Sequence, residues 1–129
     1  MKEKARYFVY VLRLENQALY TGITRDVASR YRKHQRGSAA RYTRSFPPVR
    51  IAGCWEIPGG RGAAMSVEAF IKSRPRSGKE RLLSEPALLA REYREHAAKA
   101  LDIVPVDPHT PGDLSASGPC PGGPCPGGA

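Results

Sequence analysis

A chain of 129 residues predicts one domain, large enough to bury roughly two-thirds of the surface its unfolded form exposes, so a core without disulfides is feasible. All 21 Lys and Arg precede Asp102, as do nine of the 12 Asp and Glu, so that body carries 21 − 9 = +12 and the remainder −3, a basic excess that predicts a polyanion partner. No run of 18 apolar residues exists and the cysteines number three, which excludes a membrane-spanning helix and a disulfide framework.

Met1 to Arg6 is basic, but the apolar stretch behind it is short and holds Arg13, which argues against a signal peptide and for a cytoplasmic protein. Tyr7 to Leu14 (YFVYVLRL) predicts a strand covered on both faces. Glu15 and Asn16 supply turn chemistry, and Gln17 to Ile23 returns as a second strand, making an antiparallel hairpin. Asp26 is placed to cap a helix running to about Arg36, where Gly37 stops it. Val27, Arg30, Tyr31 and His34 share one face of that helix.

Ser38 to Ser45 is polar, basic and weakly helical, and Phe46-Pro47-Pro48 breaks it. Val49 to Ile57 alternates Val49, Ile51, Gly53, Trp55 and Ile57 against Arg50, Ala52, Cys54 and Glu56, the pattern of a half-buried third strand, with Trp55 in the core. Gly62 to Ser73 predicts a helix carrying Glu68 and stopped by Pro75. Ser77-Gly78-Lys79-Glu80 has capping-box spacing for a short helix into Leu83, and Pro86 suits the first turn of a last helix ending near Ala100. From Asp102 the composition turns to Pro, Gly, Ser and Asp, with two near-copies of Cys-Pro-Gly-Gly. We expect residues 102–129 to be a disordered tail and residues 1–101 the domain. Cys120 and Cys125 are too few for a zinc site, and His96 and His109 show no partner pattern.

The hairpin carries Phe8-Val9-Tyr10 and Tyr20-Thr21-Gly22, after which come Gly22-Ile23-Thr24, Asp26-Val27, Arg30 with His34 four residues on, a basic Gly-Ser-Ala-Ala-Arg-Tyr-Thr segment and Glu68 in a helix after the third strand. This order resembles the GIY-YIG nuclease superfamily, in particular its small stand-alone bacterial members, over about Tyr7 to Leu83. The resemblance implies an α/β fold, a small three-stranded antiparallel sheet flanked by helices in the order β-β-α-α-β-α plus C-terminal helices. It implies a metal-dependent endonuclease acting on DNA, in repair, recombination or processing, with RNA left open. Tyr10, Tyr20, Arg30, His34 and Glu68 are then the catalytic set, one tyrosine activating water and the other positioning phosphate or metal-bound water.

Elementary chemistry agrees with that set. Phosphodiester hydrolysis needs an activated water, neutralised phosphate charge and help for the leaving oxygen. A lone carboxylate, Glu68, suits one Mg²⁺ or Mn²⁺ that keeps several waters. Arg30 offers a planar fork for two phosphate oxygens, and His34 lies one helical turn on, on the same face. Arg32, Lys33, Arg36, Arg41, Tyr42, Arg44 and Lys72 are the candidate nucleic-acid contacts, dense charge with an interleaved aromatic. Taken singly, each site residue has an ordinary structural reading, and a non-catalytic nucleic-acid-binding module of the same fold is the alternative.

The hairpin register discriminates. With Glu15-Asn16 alone as the turn, Tyr10 faces Thr21 and the two tyrosines point to opposite sides of the sheet. With Glu15-Asn16-Gln17 as the loop, Tyr10 faces Gly22, Leu12 faces Tyr20, and both phenols share a face. The catalytic reading requires the longer loop or a bulge, with Gly22 leaving room beside Tyr10 for a phosphate or water.

Overall fold

The computed structural model describes residues 6–97 and 101–106; Met1 to Ala5, the helix end expected near Ala100, and His109, Cys120 and Cys125 lie outside them. Strand β1 (Tyr7–Leu14) sits between β2 (Leu19–Thr24) and β3 (Pro48–Ile57), and β4 (Val104–Pro105) adds to the far edge of β3, all antiparallel. Alternation along β1 divides the core. Val9 and Val11 face Trp55, Ile57 and the helix α3 (Gly60–Ser73), together with Leu82, Leu89 and Tyr93. Phe8, Tyr10, Leu12 and Leu14 face the other way, onto Val27 and Tyr31 of α1 (Val27–Arg36). A strand with apolar cover on both faces explains the unbroken hydrophobic run.

Helix α1 begins and ends where its caps dictate. Asp26 accepts the Ser29 amide at 3.1 Å, and Gly37 takes φ 80°, a left-handed turn that costs glycine little. The short α2 (Arg41–Ser45) follows. Helix α4 (Arg76–Ser84) starts earlier than the capping-box spacing implied: Pro75 is its N-cap and Ser77 lies inside the first turn. Glu80 instead pairs with Arg13 at 2.9 Å and Arg76 at 2.9 Å, and both cations pull its carboxyl below the usual range. Helix α5 (Leu88–Ala97) follows a turn containing Pro86, whose carbonyl accepts the Trp55 indole N–H at 2.9 Å.

The strand count is corrected: the sheet has four strands, not three. The fourth comes from beyond Leu101, where the tail was expected to begin. Val104 pairs with Glu56 and Pro105 with Trp55, the Val106 amide donates to the Cys54 carbonyl at 2.9 Å, and Ile103 is buried in the core. A two-residue edge strand containing proline is too short to show a period and is allowed a proline only because its outer side is unpaired. The clean alternation of β3 also fails. The pairing shifts between Val11 and Leu12 and again between Arg13 and Leu14. The extra residue moves Ile51 to the Tyr10 side while Trp55 and Ile57 stay opposite, and Val49 is exposed, as β-bulges do.

Candidate active site

The β1–β2 loop decides which residues can meet. Gln17 donates its amide to the Leu14 carbonyl at 2.9 Å and adopts φ 71°, while Leu14 donates to Ala18 at 3.0 Å. That is a turn plus one left-handed residue, the three-residue hairpin loop. Asn16 Oδ1 accepts the Ala18 amide at 3.1 Å, spending the side chain that suggested a two-residue turn on the longer one. Tyr10 therefore opposes Gly22 and Leu12 opposes Tyr20, so both tyrosines lie on the α1 side.

Gly22 leaves room, but for the phenol itself. A β-carbon built there would stand 2.5 Å from Tyr10 Oη and 2.7 Å from Cζ. The Tyr10 ring crosses the glycine and ends 2.8 Å from His34 Nε2. On the far side of the imidazole, Nδ1 lies 2.8 Å from Thr43 Oγ1, which donates its own proton to the Ala40 carbonyl at 3.2 Å. A hydroxyl has one proton, so Thr43 accepts from His34 Nδ1–H, and Nε2 is left to accept from Tyr10. Three bonds thus run in one direction, inward from the cleft.

His34 and Thr43 are fully buried. Burial, then the charge of Arg30, lowers the imidazole to about 4, so it is neutral at physiological pH. Burial pushes the Tyr10 hydroxyl up to about 12, and a hydrogen bond from Arg30 pulls the other way. Tyr20 packs its ring edge against the same imidazole, centroids 5.0 Å apart.

Tyr10, Tyr20, Gly22, Arg30 and Glu68 line one open cleft of about 600 Å³, with β1 and β2 behind, the start of α1 on one side and the first half of α3 on the other. His34 stands behind Tyr10 and does not line it. Arg30 Nε is buried without a hydrogen-bond partner, while the residue itself lines the cleft. Of the two carboxylates in the cleft, Asp26 holds its helix cap. Glu68, 20% exposed, meets Lys72 Nζ at 3.2 Å. Among the described residues no group of three or more His, Cys, Asp and Glu gathers. That donor set does not make a zinc cage, which wants several protein ligands. It fits Mg²⁺, which binds through one or two carboxylates and keeps its waters.

Of the candidate nucleic-acid contacts, Lys33 lines the cleft and Lys72 pairs with Glu68. Arg32, Arg36, Arg41, Tyr42 and Arg44 are exposed but outside it. Thr43 escaped the sequence reading because no spacing marks a single hydroxyl in a weakly helical segment. Arg61 and Met65 also line the cleft, and their spacing to Glu68 at i, i+4 and i+7 was a signal that went unused.

The antiparallel sheet, the paired tyrosines and the Arg–His helix above them define a GIY-YIG-type domain. Residues 6–81 match the GIY-YIG catalytic domain family, a nuclease family, and the chain belongs to it. It is similar to UPF0213 protein YhbQ of Salmonella typhimurium, 40% identical over 79 residues that make up 61% of this chain and 78% of that protein. A UPF0213 protein of Vibrio cholerae is 38% identical over 78 residues, 60% of this chain and 77% of the relative. No solved structure matches significantly.

Proposed function

We propose that the protein is a divalent-metal-dependent endonuclease that hydrolyses DNA phosphodiester bonds in the cytoplasm, in repair, recombination or processing. The observation that carries the reading is the convergence of Tyr10, Tyr20, Arg30 and Glu68 on one cleft with His34 behind Tyr10. No helix among the described residues is long and apolar enough to cross a membrane.

In this mechanism Arg30 clamps the phosphate and offsets charge that grows in the transition state. The Tyr10 hydroxyl donates into the protein, so that beside the contact from Arg30 it keeps one lone pair to take a proton from the attacking water while its own proton moves to His34 Nε2. Tyr20 positions the phosphate from the β2 side. Glu68 would hold one Mg²⁺ or Mn²⁺, which supplies positive charge to the phosphate and leaving oxygen when bound. Lys33 and the exposed Arg32, Arg36, Arg41 and Arg44 hold the flanking backbone, with the Tyr42 ring an aromatic contact beside them.

One observation favours the alternative, a nucleic-acid binder without catalysis: Lys72 occupies the Glu68 carboxylate. The pair is an i,i+4 contact with the lysine 57% exposed, a class worth about 0.3–0.5 kcal/mol, which a divalent ion outcompetes. The test is incubation with plasmid and oligonucleotide DNA in Mg²⁺, Mn²⁺ or EDTA. Cleavage should require metal, and Glu68→Gln should abolish it while DNA binding persists. Full activity in EDTA or in that variant would overturn the metal role, and binding without cleavage under every condition would favour the alternative.

A further inference from the structure

We propose that Tyr42 and Phe46 form a stacking platform for unpaired nucleobases, so that the preferred substrate carries single-stranded nucleotides beside the scissile bond. The inference deepens the nuclease reading and takes from it the place where the strand is cut. Tyr42 and Phe46 are 45% and 37% exposed, among the large apolar side chains most open to solvent. Their rings lie 5.3 Å apart at 50°.

The platform is fixed rather than pendant. Asn16 Nδ2 donates to Tyr42 Oη at 3.0 Å, and the Glu15 amide donates to the Pro47 carbonyl at 3.0 Å, so the hairpin loop holds both ends of the segment. Beneath it, Thr43 is buried against His34. Leu14, where that loop begins, lies four strand residues from Tyr10, about 13 Å at the usual rise. A strand lying in the cleft reaches the rings within a few nucleotides.

The charge around the rings selects the occupant. From Val27 to Trp55 the chain has seven Lys and Arg and no Asp or Glu, and Arg41 and Arg44 flank Tyr42. Against them stands Glu15 on the adjoining loop. Arginines alone suffice to hold the phosphates of a duplex. Exposed aromatic rings add affinity only where base faces are accessible, and in a duplex those faces are covered by their neighbours.

The full chain carrying Glu68→Gln separates binding from cleavage. Its affinity is measured by fluorescence anisotropy for a single strand, the same sequence as blunt duplex, and a duplex with a single-stranded flap, with 2-aminopurine reporting stacking. Single strand and flap should bind tighter than duplex. Tyr42→Ala with Phe46→Ala should weaken single-strand binding by about tenfold, remove the quenching of 2-aminopurine, and change duplex affinity by less than about twofold, since phosphate contacts carry that affinity. Tyr42→Phe, which keeps the ring and loses only the Asn16 contact, should keep the single-strand preference and the quenching; both sets should melt with the parent. Equal loss on duplex and single strand, a parent without preference for single strands, or no nucleic-acid binding would overturn the platform. Quenching and preference in a chain that cleaves nothing as wild type would support the platform and overturn the nuclease reading alone.

Discussion

Gly22→Ala adds one methyl group at the position where Tyr10 crosses β2. The glycines with positive φ are Gly37, Gly59 and Gly60, so alanine meets no backbone strain at Gly22. The conflict is with the phenol, since the new carbon falls 2.5 Å from Oη and 2.7 Å from Cζ. Carbon–oxygen and carbon–carbon contacts relax at about 3.5 Å, so the ring must retreat by about 1 Å. The Tyr10–His34 bond, 2.8 Å long, then leaves hydrogen-bonding range. Overpacking costs about 1–3 kcal/mol, and the stranded buried imidazole nitrogen adds about 1–3 kcal/mol. Melting should fall by about 10 °C or more for a domain of this size. Single-turnover cleavage should fall by about a hundredfold, the penalty of a 1 Å misplacement. With Tyr10→Ala as background the same alanine has nothing to strike, and a double-mutant cycle in stability should recover most of its cost as coupling. Additive effects, or wild-type stability in Gly22→Ala alone, would refute the reasoning.

Thr43→Val removes the acceptor of His34 Nδ1–H without changing shape. It should lower kcat with little change in KM and shift the imidazole ¹⁵N pattern away from the Nδ1–H tautomer. Thr43→Ser should restore both, and a valine variant with wild-type kcat would remove the positioning role. His34 is lowered from 6.5 to about 4 by burial, so the unfolded chain binds the proton first; stability is full above pH 6.5 and falls as pH drops toward 4, by about 3 kcal/mol in all. Denaturation at pH 7 and pH 4.5 should show most of that loss in the parent and a shallower one in His34→Gln; parallel slopes would exclude His34 as its source. Ile103→Ala should cost about 2 kcal/mol or more by urea unfolding, whereas an unchanged midpoint would mean that the segment after Asp102 adds nothing.

Where a residue's environment is set by its near neighbours in the chain, the sequence was readable. Asp26 and Gly37 bound α1 because capping is local. Counting reduced the register to two answers, of which only one puts both tyrosines on a face, and the structure takes that one. What escaped depends on partners distant in sequence. The β3 bulges arise from pairing with β1, and Ile103 is buried in a cluster built from residues of α3 and α5, far from it in the chain. Glu80 has good capping spacing after Ser77, yet Arg13, 67 residues away, claims it. Thr43 belongs to the same kind: its role exists only because His34 is buried beside it.

A buried tyrosine whose pKa is about 12 is ionised in about one molecule in 10⁵ at pH 7, so a mechanism that waits for free phenolate is slow. Proton transfer through Tyr10 avoids that state, provided the hydroxyl's proton already points at an acceptor other than the substrate. His34 is that acceptor only in the Nδ1–H tautomer, and the tautomer is held because Thr43 has spent its proton on Ala40. Lowering the imidazole to about 4 keeps the ring neutral, as accepting a hydrogen bond from Tyr10 requires, and makes it a weaker proton acceptor than an ordinary histidine. In the proposed mechanism the same low value means that His34 would hold the proton only briefly and return it through Tyr10 once the leaving oxygen needs one. In the proposed relay, burial would keep both partners neutral between turnovers. The direction of the hydrogen bonds, and with it of the proposed transfer, is set by one hydroxyl on a five-residue helix.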